Sequence, residues 1–142
     1  MFYERLLDIR VEADLRQTDM AKILNVSQSN YSRWESGQEL IPLPKLNLLC
    51  NHFNVSMDYV AGISRRSSYT KKCELNKKVI GKRLKEFRNK YHITQVQLAV
   101  YLNTTQSTIS AYESGKTILL TAFALQIIDK YNISLDWLCG RK

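Results

Sequence analysis

Among its 142 residues this chain has only three cysteines, two histidines, two prolines and five glycines. Cys50, Cys73 and Cys139 form an odd, sparse set, unlike the dense even sets that staple small secreted domains, so a reducing, cytosolic setting is expected. His52 and His92 are too few for a histidine-rich metal or acid–base centre. Cys50-x-His52 resembles a fragment of a metal site, but Cys50 falls on an apolar helical face and reads as a core thiol. The glycines make no phosphate-cradling loop, and no cysteine, histidine and acid can be placed together as a catalytic group. The expectation is a protein that is not an enzyme, with no metal and no cofactor. No stretch approaches about eighteen apolar residues, and the start lacks the basic, apolar and small-residue pattern of a secretion signal. A soluble, cytoplasmic protein with no membrane partner is expected.

What is present is enough apolar material to fold, 44% of the residues, together with a formal charge of +8 that favours polyanionic partners. The charge is unevenly spread. Residues 1–64 carry six bases and eight acids, a net −2, whereas residues 65–78 and 79–142 each carry +5.

The chain also repeats itself. Glu35-Ser36-Gly37 returns 78 positions later as Glu113-Ser114-Gly115, and the same offset pairs Arg10 with Arg88, Gln17 with Gln95, Ala21 with Ala99, and Gln28-Ser29 with Gln106-Ser107 without an insertion. Asn54, Ser56, Asp58 and Gly62 find their partners in Asn132, Ser134, Asp136 and Gly140. Unlike pairs keep their character, as with Trp34 and Tyr112 or Met57 and Leu135. Two copies of one fold are expected: residues 1–63, a linker over 64–75, and residues 76–142.

Within each copy the apolar spacing is helical, as in Leu46, Leu49, Cys50 and Phe53, and no long run alternates with period two. Boundary residues divide each copy into about five short helices. Thr94 with Gln97 reads as a capping box, Ser27, Ser56, Thr105 and Ser134 as N-caps, and Gly37 and Gly115 as left-handed C-caps. Pro42 and Pro44 lie where a fourth helix should begin, a position that tolerates proline.

The centre of each copy is a pair of short helices around a tight turn, running from Gln17 to about Glu35 and from Gln95 to about Glu113. Ala21 and Ala99 are small where helices cross, and Asn25 and Asn103 fall where a left-handed backbone is wanted. Tyr31 with Trp34, and Ile109 with Tyr112, project inward. This spacing specifies a helix-turn-helix. Through QSNYSRWESG and QSTISAYESG, and the closing NVSMDYVAG and NISLDWLCG, the chain resembles the Cro/C1 (XRE) family of transcriptional regulators in both copies. The resemblance implies an all-α protein of two five-helix, lambda-repressor-like helix-turn-helix domains joined by a basic linker. It implies sequence-specific binding of double-stranded DNA, and the expected role is a repressor.

The second helix of each pair then carries the candidate site. Gln28, Ser29, Asn30 and Ser32, and in the second copy Gln106, Ser107, Thr108 and Ser110, are short polar residues suited to base edges and phosphates. Arg33 could pair bidentately with guanine, whereas Ala111 at the matching position offers a methyl contact, so the copies should read different sequences. The resemblance places Gln17, Gln95, Gln38 and Lys116 against phosphate. It also makes Arg10 with Glu35, and Arg88 with Glu113, structural ion pairs.

Copy one departs from the family pattern. Arg16 stands where a capping threonine is usual, and Glu39 puts a carboxylate in the loop that should face phosphate. The first domain is therefore expected to read DNA more weakly, or to have become a homodimer-forming or partner-binding unit. The rival to the repressor is a protein-interaction module, an antitoxin or an antagonist of another regulator. The linker bases Arg65, Arg66, Lys71, Lys72, Lys77 and Lys78 read as a solvated tether that could also lie along phosphates. Twelve linker residues span at most about 40 Å.

Overall fold

The computed structural model describes residues 2–65 and 71–142, with Phe2 and Tyr3 described by their backbone alone. Among the described residues it is all-α, with ten helices and no strand. The chain forms two compact units, Met1–Glu74 and Leu75–Lys142. The first contains α1 (Phe2–Glu12), α2 (Gln17–Leu24), α3 (Gln28–Ser36), α4 (Leu43–Phe53) and α5 (Met57–Val60). The second contains α6 (Lys77–Lys90), α7 (Gln95–Tyr101), α8 (Gln106–Glu113), α9 (Thr121–Tyr131) and α10 (Leu135–Leu138).

Each unit closes around its own core because its helices are too short to persist without burying an apolar face. Leu6, Met20, Leu24, Tyr31, Leu46, Leu49 and Met57 fill the first core. Ile80, Leu84, Phe87, Leu98, Ile109, Ile127 and Leu135 fill the second. Cys50 and Cys139 are buried thiols, so the apolar reading of the Cys50 position holds in three dimensions. Trp34 packs in the first unit at its Tyr31 edge, and Trp137 in the second, under the Arg83 guanidinium.

The repeat extends to backbone conformation. Left-handed residues occur in five pairs at the same offset of 78: Asp14 and His92, Asn25 and Asn103, Asn54 and Asn132, Gly37 and Gly115, Gly62 and Gly140. Asp14 and His92 share no side-chain chemistry; the position requires a residue tolerant of positive φ, and both types are enriched there. Ser27, Ser56, Thr105 and Ser134 each accept an N–H three residues on. Arg16 has no hydroxyl for this, and the Asp19 carboxylate takes the Arg16 N–H instead, at 2.8 Å.

Part of the stretch expected as a linker is fixed to the first unit. Asn47 and Asn51, one turn apart on α4, both donate through their side-chain amides to the Cys73 backbone carbonyl at 2.9 and 2.7 Å, and the Cys73 N–H returns to the Asn51 side-chain Oδ1 at 3.2 Å. The matching residues of the second copy are Leu125 and Asp129, which cannot form this clasp on an extended backbone. Arg66 lies outside the described residues.

In the second unit α6 crosses α8 at Gly81. A Cβ there would stand 2.2 Å from the Tyr112 carbonyl oxygen and 2.6 Å from that of Glu113, contacts that no rotamer relieves. Gly81→Ala should therefore destabilise the second unit by about 1–3 kcal/mol despite the helix propensity gained. With Trp34→Phe, Trp137 fluorescence reports that unit's unfolding, and an unchanged or raised midpoint would refute the close crossing.

Candidate nucleic-acid interface

The pairs α2–α3 and α7–α8 share one turn. Asn25 and Asn103 sit at φ 56°, and the next residue donates back across the turn, Val26 to Ala21 and Thr104 to Ala99, each at 2.9 Å. An α-helix leaves its first N–H groups without internal partners. Ser27 accepts one such N–H in α3 and Thr105 one in α8. The remaining leading N–H groups are the donors that a phosphate would meet.

Below each pair an ion pair with a buried carboxylate ties the first helix of the unit to the second helix of the pair. Arg10 Nε and Nη2 donate to Glu35 at 2.9 and 2.8 Å, and Nη1 to the Leu15 carbonyl at 3.0 Å. Arg88 repeats this on Glu113 at 2.8 and 3.0 Å and on the Ile93 carbonyl at 3.0 Å. The carboxylates are 7% and 5% exposed. Burial pushes the Glu35 carboxyl up, but the hydrogen bonds onto it, led by Arg10, outweigh this and hold it below the usual carboxylate range.

The network reaches the first helix of each pair, and in the second unit the start of α8. Gln17 donates to Glu35, and Gln95 to Glu113, each at 3.3 Å; Gln106 then donates to Gln95 at 3.4 Å. Gln95 therefore links a buried carboxylate to the first residue of α8.

In the second unit a shallow depression of about 380 Å³ gathers Gln95, Gln106, Ser107, Ser110, Ala111, Ser114 and Lys116. Thr108 does not line it; its hydroxyl lies 2.9 Å from that of Thr105, at the cap. Ser114 was missed as a lining residue, although the repeated Glu-Ser-Gly triplet marks its position; its hydroxyl donates to the Ala111 carbonyl at 3.1 Å.

The first unit presents Gln28, Ser29 and Gln38 to solvent, with Asn30, Ser32 and Arg33 half-buried. Arg33 Nη2 donates to the Asn30 side-chain oxygen, and Arg33 Nε lies 3.2 Å from a Glu39 carboxylate oxygen. The arginine expected to reach DNA is thus engaged within its own surface.

No group of three or more potential metal ligands forms among the described residues. No helix among them is long and apolar enough to cross a membrane.

Residues 6–60 and 84–138 each match the helix-turn-helix family. The chain is 30% identical over 90 residues to YobD of Bacillus subtilis (strain 168), described as an uncharacterized HTH-type transcriptional regulator, covering 63% of this chain and 73% of that protein. It is 27% identical over 79 residues to the antitoxin PezA of Streptococcus pneumoniae serotype 4, covering 56% of this chain and half of that protein. No solved structure matches it.

A carboxyl whose pKa falls on folding adds stability above its unfolded value, about 4.3, and that contribution is lost as pH drops through the folded value. Glu35→Gln should therefore lower first-unit stability at neutral pH by about 3 kcal/mol, the lower end for a broken buried pair because Arg10 keeps 19% of its side chain in water. It should also flatten that unit's loss of stability below about pH 4. With Trp137→Phe, Trp34 fluorescence during denaturant titrations at successive pH values measures both; an undiminished acid slope would remove Glu35 as its source.

Proposed function

The chain belongs to the helix-turn-helix family of Cro/C1 (XRE) type, and on that footing we propose that it is a sequence-specific DNA-binding transcription regulator acting as a repressor. The observation that carries this reading is the polar depression on the second unit, where α8 presents Gln106, Ser107 and Ser110 beside Lys116. Short polar side chains at the start of a helix suit the edges of bases in the major groove, and a lysine beside them suits the flanking phosphate. Residues 79–142 add a +5 charge that would draw the unit toward double-stranded DNA. Gln106, anchored through Gln95, is the adenine reader in this scheme, and Ala111 offers contact to a thymine methyl. The protein is read as a cytoplasmic, non-enzymatic regulator that needs no cofactor.

Two reading units in one chain suit two unlike half-sites, Arg33 favouring guanine where Ala111 favours thymine. The functional division is 1–63, 64–75 and 76–142. The full reach of the tether requires the Cys73 clasp on α4 to open, because that clasp fixes the stretch just before Asn76, the α6 N-cap. The similarity to PezA, the −2 charge of residues 1–64 and the engagement of Arg33 favour a second reading, in which the first unit binds a protein partner or a second copy while the second unit holds DNA.

Selection of bound sites from random duplex supplies the operator for the test. Gln106→Ala and Ser107→Ala should lose about 1–3 kcal/mol each on the selected site and little on random DNA. Lys116→Ala should weaken both alike and reduce the salt slope by about one unit. Equal losses on both DNAs for all three variants would mean that α8 does not read bases.

A further inference from the structure

Arg33 and Glu39 are brought together by backbone geometry that both units share. After α3, Gly37 turns left-handed at φ 83° and the Glu39 N–H bonds back to the Arg33 carbonyl at 3.2 Å. After α8, Gly115 turns left-handed and the Thr117 N–H bonds back to the Ala111 carbonyl at 3.4 Å. The loop thus returns the same position to the reading helix in each unit, and only the first unit places opposite charges there. The Arg33 side chain is 40% and the Glu39 side chain 55% exposed, while the Arg33 Nε that faces the carboxylate is itself covered, so the pair is an ion contact at the edge of the surface where DNA would dock. Asn30 holds the other end of the guanidinium.

We propose that Glu39 is a specificity-determining latch on Arg33, an inference that rests on the reading of the first unit as a DNA-binding domain. With the latch closed, the carboxylate cancels the one cation on that reading helix. A phosphate must replace one anion with another and gains little. A guanine offers two acceptors in the fork geometry of arginine, a contact worth about 5- to 150-fold in discrimination, against at most about five-fold for an exposed ion pair. Guanine at the matching position therefore opens the latch, and other sequences leave it shut. The first unit exchanges general affinity for selectivity, while Lys116 in the second unit keeps its charge free of such a partner in the loop, its neighbour there being Thr117.

The test is a double-mutant cycle on the full chain: wild type, Glu39→Gln, Arg33→Ala and the double variant, each titrated against random and selected duplexes over a range of salt. Both side chains are exposed enough for the fold to survive, and circular dichroism checks that it does. Glu39→Gln should tighten binding to random DNA by about two- to five-fold, steepen the log–log salt slope by up to about 0.9, and narrow the preference for the selected site. The gain should vanish when Arg33 is alanine. A gain that survives Arg33→Ala would mean that Glu39 merely repels phosphate, and a loss of affinity in Glu39→Gln would mean that it steadies Arg33 for DNA; either overturns the latch. Salt-insensitive or absent binding by all four proteins would instead overturn the DNA-binding reading, and the latch with it.

Discussion

Each unit depends on one half-buried guanidinium held on a buried carboxylate. Arg10, from α1, grips Glu35 at the end of α3 and the Leu15 carbonyl just before α2; Arg88 does the same from α6 with Glu113 and Ile93. One planar group with donors in fixed directions thereby sets three chain segments relative to one another. A purely apolar contact would bury the same helices without fixing their register. The glutamine bonded to each carboxylate carries that constraint outward, and in the second unit Gln95 passes it to Gln106 at the start of α8. In the second unit the start of α8 is thus oriented from the interior.

The two copies share backbone more closely than surface. Five pairs of left-handed residues and four hydroxyl caps recur at the same offset, even where the left-handed pair is as unlike as Asp14 and His92. What differs is the chemistry mounted on that frame. Ala111 and Thr117 are uncharged where Arg33 and Glu39 form an ion pair, and Leu125 replaces the Asn47 that helps clasp Cys73. Duplicated domains diverge in this way because side chains outside the core can change while the caps, turns and buried pair stay fixed.

The sequence by itself determined the repeat, the helical class and most of the helix ends, because these rest on local physics: a period of 3.6, hydroxyl caps, and residues that accept positive φ. That Gln28 and Gln106 lead α3 and α8 was legible for the same reason, since a cap fixes where a helix starts. Gly81 was not legible, because only the crossing of α6 over α8 brings the Tyr112 and Glu113 carbonyls within reach of a Cβ that is not there. Thr108 belongs to the cap rather than the depression, a matter of which side of one turn it occupies. The stretch before α6 read as a free tether because nothing local distinguishes a solvated Lys-Lys-Cys from one whose backbone two asparagines hold. Arg33 read as a free base reader because its distance from Glu39 is decided by a turn and one hydrogen bond. Local pattern fixes what each segment is; only tertiary structure decides which polar groups are already satisfied, because their partners lie in other segments or across a turn.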